Sequence, residues 1–102
     1  MMITEHFYDF LGFQWDGGNL DKNRRKHDVE AFEAEQAFFN APLIIINDEK
    51  HSTSETRYAA FGKTNDGRKL VMIFTKRNQL IRIISARDMN KKERGYYAAH
   101  ES

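Results

Sequence analysis

Between Arg68 and Arg87 the chain reads RKLVMIFTKRNQLIRIISAR, two runs rich in β-branched and aromatic residues separated by a polar break at Arg77-Asn78-Gln79. That pattern predicts an antiparallel hairpin. Side chains alternate along a strand, so Leu70, Met72 and Phe74 share one face and Val71, Ile73 and Thr75 the other. Both faces are mainly apolar, which places the first strand inside a sheet. On the second strand Ile81, Ile83 and Ser85 oppose Arg82, Ile84 and Ala86. This puts the Arg82 guanidinium among apolar neighbours, where it needs a partner or a ligand.

The rest of the chain can be arranged around that hairpin. Phe10 to Trp15 alternates, with Leu11, Phe13 and Trp15 on one side, and reads as a short strand ended by Asp16-Gly17-Gly18. Asn19 is the expected cap of a short polar helix from Leu20 to His27, which needs tertiary contacts to persist. Asp28 is the expected cap of a second helix from Val29 to Phe39, with Val29, Phe32 and Phe39, and Ala34, Ala37 and Phe38 beside them, forming a broad apolar side. Asn40 and Pro42 stop it. Leu43–Ile46 reads as a strand, Asp48–Glu55 as a loop, and Arg57–Phe61 as a strand with Arg57, Ala59 and Phe61 on one face. Asn65-Asp66-Gly67 is a turn leading into the hairpin. Asn90 and Glu93 have the spacing of a capping box that opens a last helix running to about Tyr97. The order β-α-α-β-β-β-β-α, with short turns between successive strands, predicts an α+β fold: an antiparallel sheet, joined as a meander, with helices packed on it.

Length narrows this to one domain over residues 1–102, with room for one modest core. The absence of cysteine excludes disulfides, thiolate catalysis and sulfur-ligated metal centres. No apolar run is long enough to span a bilayer and the amino terminus has no basic-then-apolar leader, so a cytoplasmic protein is expected. A net charge of +1 implies no polyanionic partner by itself. Its distribution is uneven, however. Lys22, Arg24, Arg25 and Lys26 cluster, an acidic stretch follows, and basic residues dominate again from Arg57 to Arg94. A fold uniting the basic segments would present a positive surface; otherwise these charges only solvate helix and strand surfaces.

Among candidate chemical groups, Lys26-His27 joins an ammonium to an imidazole that it would make easier to deprotonate; a histidine capping helix carbonyls is the plainer alternative. His51-Ser52 reads as part of a solvated loop. No metal-ligand spacing, phosphate-cradling glycine loop or serine–histidine–aspartate order is present, and no metal or cofactor is expected. Arg57, Arg82 and Arg87 come from neighbouring strands and Arg77 from the turn between two of them. Grouped guanidiniums suit phosphate, although pairing with the acidic segment would equally account for them. Metal-free RNA cleavage by a neighbouring 2′-hydroxyl needs a proton acceptor, a proton donor and cations for the developing charge. A His/Lys/Arg set meets all three needs.

Phe13-Gln14-Trp15-Asp16, then Asn23, Lys26-His27, Val29, Glu33-Ala34 and Phe38, resemble the opening of the BrnT family, the toxin half of a bacterial type II toxin–antitoxin module. His51-Ser52, Glu55-x-Arg57, Gly62 and above all Ile81-Arg82-Ile83-Ile84-Ser85-Ala86-Arg87, followed by Glu93-Arg94 and Tyr97, resemble its second half. The match runs from about Phe13 to Tyr97 and leaves Met1 to Gly12 unexplained. Asn19 stands where many members carry lysine, which leaves Lys22 to supply that charge. The resemblance implies a RelE-like fold and toxicity by RNA cleavage that blocks translation. It also implies a BrnA-like antitoxin with a ribbon-helix-helix DNA-binding part, so that DNA is bound only through the complex. Carried over residue by residue, it implies His27, Lys26, Arg57, Arg82 and Arg87 as catalytic residues. Lys22, Lys76 and Arg77 are expected to bind substrate. The rival readings are a non-catalytic RNA- or partner-binding module, and an inactive toxin acting as co-repressor with its antitoxin.

Overall fold

Short apolar and alternating runs from both halves of the chain build a five-stranded sheet, and turn chemistry sets its register. A computed structural model describes residues 10–51 and 54–101. The chain before Phe10, and Ser52 of the His51-Ser52 pair, lie outside the described residues. The elements are β1 (Gly12–Trp15), α1 (Gly17–His27), α2 (Ala31–Ala37), β2 (Ile44–Asn47), a 3-10 turn at Glu49–His51, β3 (Tyr58–Lys63), β4 (Lys69–Arg77), β5 (Leu80–Asp88) and α3 (Lys91–Ala98). The β-α-α-β-β-β-β-α order is as expected.

The strands lie in the order β1-β5-β4-β3-β2. β2 to β5 form the antiparallel meander, while β1 joins the free side of β5 in parallel. The β4–β5 turn holds both Asn78 (φ 50) and Gln79 (φ 66) in the left-handed region. A two-residue hairpin loop takes that form because its twist matches that of the strands. At the β3–β4 turn Gly67 supplies the positive φ (86) that side chains resist.

Helices cover both faces of the sheet. On one face Leu70, Met72 and Phe74 join Ile45, Ala60, Ile81, Ile83 and Ala86 beneath Ala34, Ala37 and Phe38, forming the main core. On the other, Tyr97 of α3 packs with Ile44, Ala59, Phe61, Val71 and Met89. The Tyr97 hydroxyl donates to the Pro42 carbonyl at 2.6 Å, and burial pushes its phenol up to about 12. The expected capping box is present: the Asn90 side chain accepts from Glu93 N at 2.8 Å and Glu93 Oε1 accepts from Asn90 N at 2.8 Å.

Several local expectations are corrected. Asp16, not Asn19, caps α1, its Oδ1 accepting from Gly18 N and Asn19 N, so the helix begins at Gly17. Asp28 does not cap α2. It closes α1 in the left-handed region, and Glu30 with Glu33 forms the box that opens α2. The broad apolar side of α2 is divided: Ala34, Ala37 and Phe38 turn inward, whereas Phe32 and Phe39 are 60% and 69% exposed. Leu11 likewise points outward at 76% exposure, and Phe10 packs against Phe13 and Phe39 instead. Strict alternation also fails in β5. Phe74 opposes Ile83 while Ile73 opposes Ser85, so Ile84 is an extra residue, a β-bulge. Beyond it Ala86 returns to the main-core face.

Candidate functional site

The bulge matters because Arg82 and Arg87 are five residues apart, a spacing that sends them to opposite faces of a regular strand. With Ile84 bulged, Arg82 opposes Thr75 and Arg87 opposes Val71, so both lie on the face that carries α3. Those partners stand four positions apart on β4, about 13 Å at about 3.3 Å per residue. The two guanidiniums therefore mark opposite ends of one strip.

At the hairpin end, Arg57 precedes Tyr58, whose partner is Phe74, and so stands level with Thr75. Arg57, just ahead of β3, thus lies level with Thr75 of β4 and Arg82 of β5. Arg77, two residues beyond Thr75, faces the same way. Its Nε donates to Glu55 Oε2 at 2.6 Å and its Nη2 donates to Oε1. Hydrogen bonding from Arg77, reinforced by the charges of Arg82 and Arg57, holds the Glu55 carboxyl below its ordinary value. Arg82 also approaches Asp16 Oδ2 at 3.4 Å. The Asp16 carboxyl is lowered chiefly by the Asn19 and Gly18 N–H groups, with Arg82 contributing. Asp48 N donates to the Arg57 carbonyl at 2.8 Å. Thr75 is 2% exposed, and among the described residues its hydroxyl has no hydrogen-bond partner.

The other end of the strip is organised differently. Arg87 grips both oxygens of Glu93 at 2.7 and 2.8 Å, tying β5 to the start of α3. Arg68 reaches Asp88 at 2.7 and 2.9 Å, Glu33 at 3.1 and 3.2 Å, and the carbonyls of Asp28 and His27 at 2.8 and 3.2 Å. It clamps the α1–α2 junction to the sheet. His27 is half-buried at the end of α1. The Asp88 carboxyl is lowered chiefly by its hydrogen bond to Arg68, and the His27 charge adds to this. Lys22 and Lys26 are exposed on α1, beside a shallow hollow shared with Gly18, Asp21 and Arg25. Lys76 is half-buried near the end of β4.

Of the residues expected to form the site, Arg57, Arg77 and Arg82 come together. His27 and Arg87 lie toward the opposite end of β5, and Lys22 and Lys26 project from α1. Reading the sequence missed Glu55 and Asp16 as partners of the arginines. Their signals were present, in Glu55-x-Arg57 and in Phe13-Gln14-Trp15-Asp16, but pointed to no particular guanidinium. It also missed Arg68, which reads as an ordinary strand-end charge, and Asn23, 1% exposed, whose Oδ1 accepts from Ala86 N at 3.3 Å. Among the described residues no group of three His, Asp or Glu is placed to hold a metal ion. No helix there is long and apolar enough to cross a membrane.

An α+β protein with partly exposed guanidiniums along one sheet face fits the small ribonuclease toxins of type II toxin–antitoxin systems. The comparison with known families bears this out: residues 15–93 match the family described as ribonuclease toxin, BrnT, of type II toxin–antitoxin system, and the chain belongs to it. Among solved structures, the 1.1 Å crystal structure of the Brucella abortus ribonuclease toxin BrnT aligns with a TM-score of 0.59 and 19% identity, covering 79% of this chain and 99% of that one. At that identity the likeness speaks for the fold. No curated protein matches the sequence.

Proposed function

We propose that this toxin is a metal-independent endoribonuclease that cuts RNA and so stops translation. The observation that carries the reading is the convergence of Arg57, Arg77 and Arg82 on one sheet face. Three cations there match a phosphodiester and the extra charge it gains as the 2′-oxygen attacks phosphorus. Arg82 and Arg57 hold the scissile phosphate, and Arg77 joins them. Arg87, His27 and Lys26, with Lys22, extend the cationic path along the RNA, whereas Lys76 opposes Ile81 on the other face of the sheet and stands apart from it. A BrnA-like antitoxin with a ribbon-helix-helix domain neutralises the protein in the cytoplasm and carries the pair to DNA. Its acidic or apolar segments are drawn to the same positive face.

The test is cleavage of RNA by purified protein in EDTA, compared with Arg82→Ala and His27→Ala. Arg82→Ala is expected to lose about 10²- to 10³-fold in rate, the usual effect of removing one donor to a developing anion. Activity that depends on added metal, or a double variant as active as the parent, would reject the proposal. A second reading, binding without cleavage, draws on the distance between His27 and the arginine group. RNA left intact after long incubation, together with binding that weakens steeply with salt, would favour it.

A further inference from the structure

A carboxylate, Glu55, stands within the arginine group. We propose that Glu55 is the general base that takes the 2′-hydroxyl proton, an assignment that rests on the ribonuclease reading. Glu55 stands two residues before Arg57 on the segment leading into β3 and receives both donors of Arg77. Its side chain keeps 37% of its surface open, so solvent and substrate reach it. Of the carboxylates nearby, Asp16 is committed to capping α1 and Asp48 stands beside Arg57 at the β2 edge. Arg77, Arg82 and Arg57 all act on Glu55. His27 sits near Asp88 at the far end of β5.

The chemistry balances without a further reactant. An incoming phosphate competes for the Arg77 fork and frees a Glu55 oxygen. That oxygen accepts the 2′-hydroxyl proton while the 2′-oxygen bonds to phosphorus and the phosphorus–5′-oxygen bond breaks. The departing oxygen takes a proton from solvent, and Glu55 returns its own proton to solvent. The products are a 2′,3′-cyclic phosphate and a 5′-hydroxyl.

The experiment compares wild type, Glu55→Gln and Glu55→Asp. It measures kcat on an oligoribonucleotide, binding of the same oligonucleotide with 2′-deoxy residues, and kcat/KM from pH 4 to 8. The charged groups facing Glu55 are Arg77 of β4, Arg82 of β5 and Arg57 beside β3, with Asp16 and Asp48 beyond them. The expected results are a loss in kcat of about 10²- to 10⁴-fold in Glu55→Gln, unchanged or tighter binding of the deoxy strand, and partial activity in Glu55→Asp. A lowered carboxyl serving as base leaves kcat/KM flat above the ordinary glutamate value of 4.5 and reduces it only below that point. Glu55→Gln cleaving as fast as wild type or faster would overturn the proposal and make Glu55 a resident counter-ion. An activity limb near the ordinary histidine pKa, about 6.5, would overturn it in favour of an imidazole. Wild-type protein that binds RNA but never cuts it would remove the ribonuclease reading as well.

Discussion

Replacing Gly62 with alanine tests the packing of α2 on the sheet. Gly62 lies in β3 on the main-core face, where an added Cβ would fall 3.2 Å from the Ala37 carbonyl carbon, 3.3 Å from its Cβ and closer still to its oxygen. The obstacle is backbone, not the tip of a flexible side chain. To restore ordinary contact the helix must retreat by about 1 Å, and a gap of that size forfeits a quarter to a half of the dispersion energy of each contact opened. Ala34, Ala37 and Phe38 all take part. The expected loss is about 2–3 kcal/mol, the upper part of the range for overpacked cores. For a domain of this size that lowers Tm by about 10–20 °C. The same change at Gly95, exposed within α3 with nothing within 4 Å of the added Cβ, should stabilise by about 1 kcal/mol through helix propensity alone. Urea unfolding monitored by circular dichroism measures both, and a constant m-value would show that the unfolding transition itself is unaltered. Equal urea midpoints for the Gly62 variant and the parent would refute the close approach of α2 to β3.

Phe38→Ala should cost about 3–5 kcal/mol, because the ring is 5% exposed and packs on Phe13 and Phe74 at 5.5 and 5.2 Å. Phe32→Ala should stay within about 1 kcal/mol, and similar losses in both by calorimetry would contradict the outward turn of Phe32. Asp88 and Glu93 have carboxyls held low by Arg68 and Arg87 respectively. A carboxyl lower in the folded than in the unfolded chain stabilises above its unfolded value and loses that contribution as pH falls through the folded one. Urea midpoints should therefore be level from pH 6 to 8 and fall below about pH 4.5; Arg68→Met should lower the plateau and soften the acid decline, and an unchanged curve would deny the clamp. Asn23→Ala leaves the buried Ala86 N–H without its acceptor and should cost about 1–3 kcal/mol, read from the urea midpoint.

Sequence alone determined the element order, the α+β class, both turns of the β3–β4–β5 meander, the Asn90–Glu93 capping box and the family resemblance. These depend on spacings within a few residues, and the side chains that decide them lie within reach along the chain. Only the tertiary structure decided which groups meet. The bulge at Ile84 turns Arg87 to the face of Arg82, although period-two alternation sets them on opposite faces. The close approach of α2 at Gly62 gives the small residues Ala34 and Ala37 the inward positions and leaves Phe32 and Phe39 outside, against the apolar stripe that composition suggests. Glu55, Asp16 and Glu93 select particular arginines because sheet order and helix entry bring them within hydrogen-bonding distance. Identical guanidiniums carry no local mark of which carboxylate will face them, and that choice appears only when distant segments share a surface.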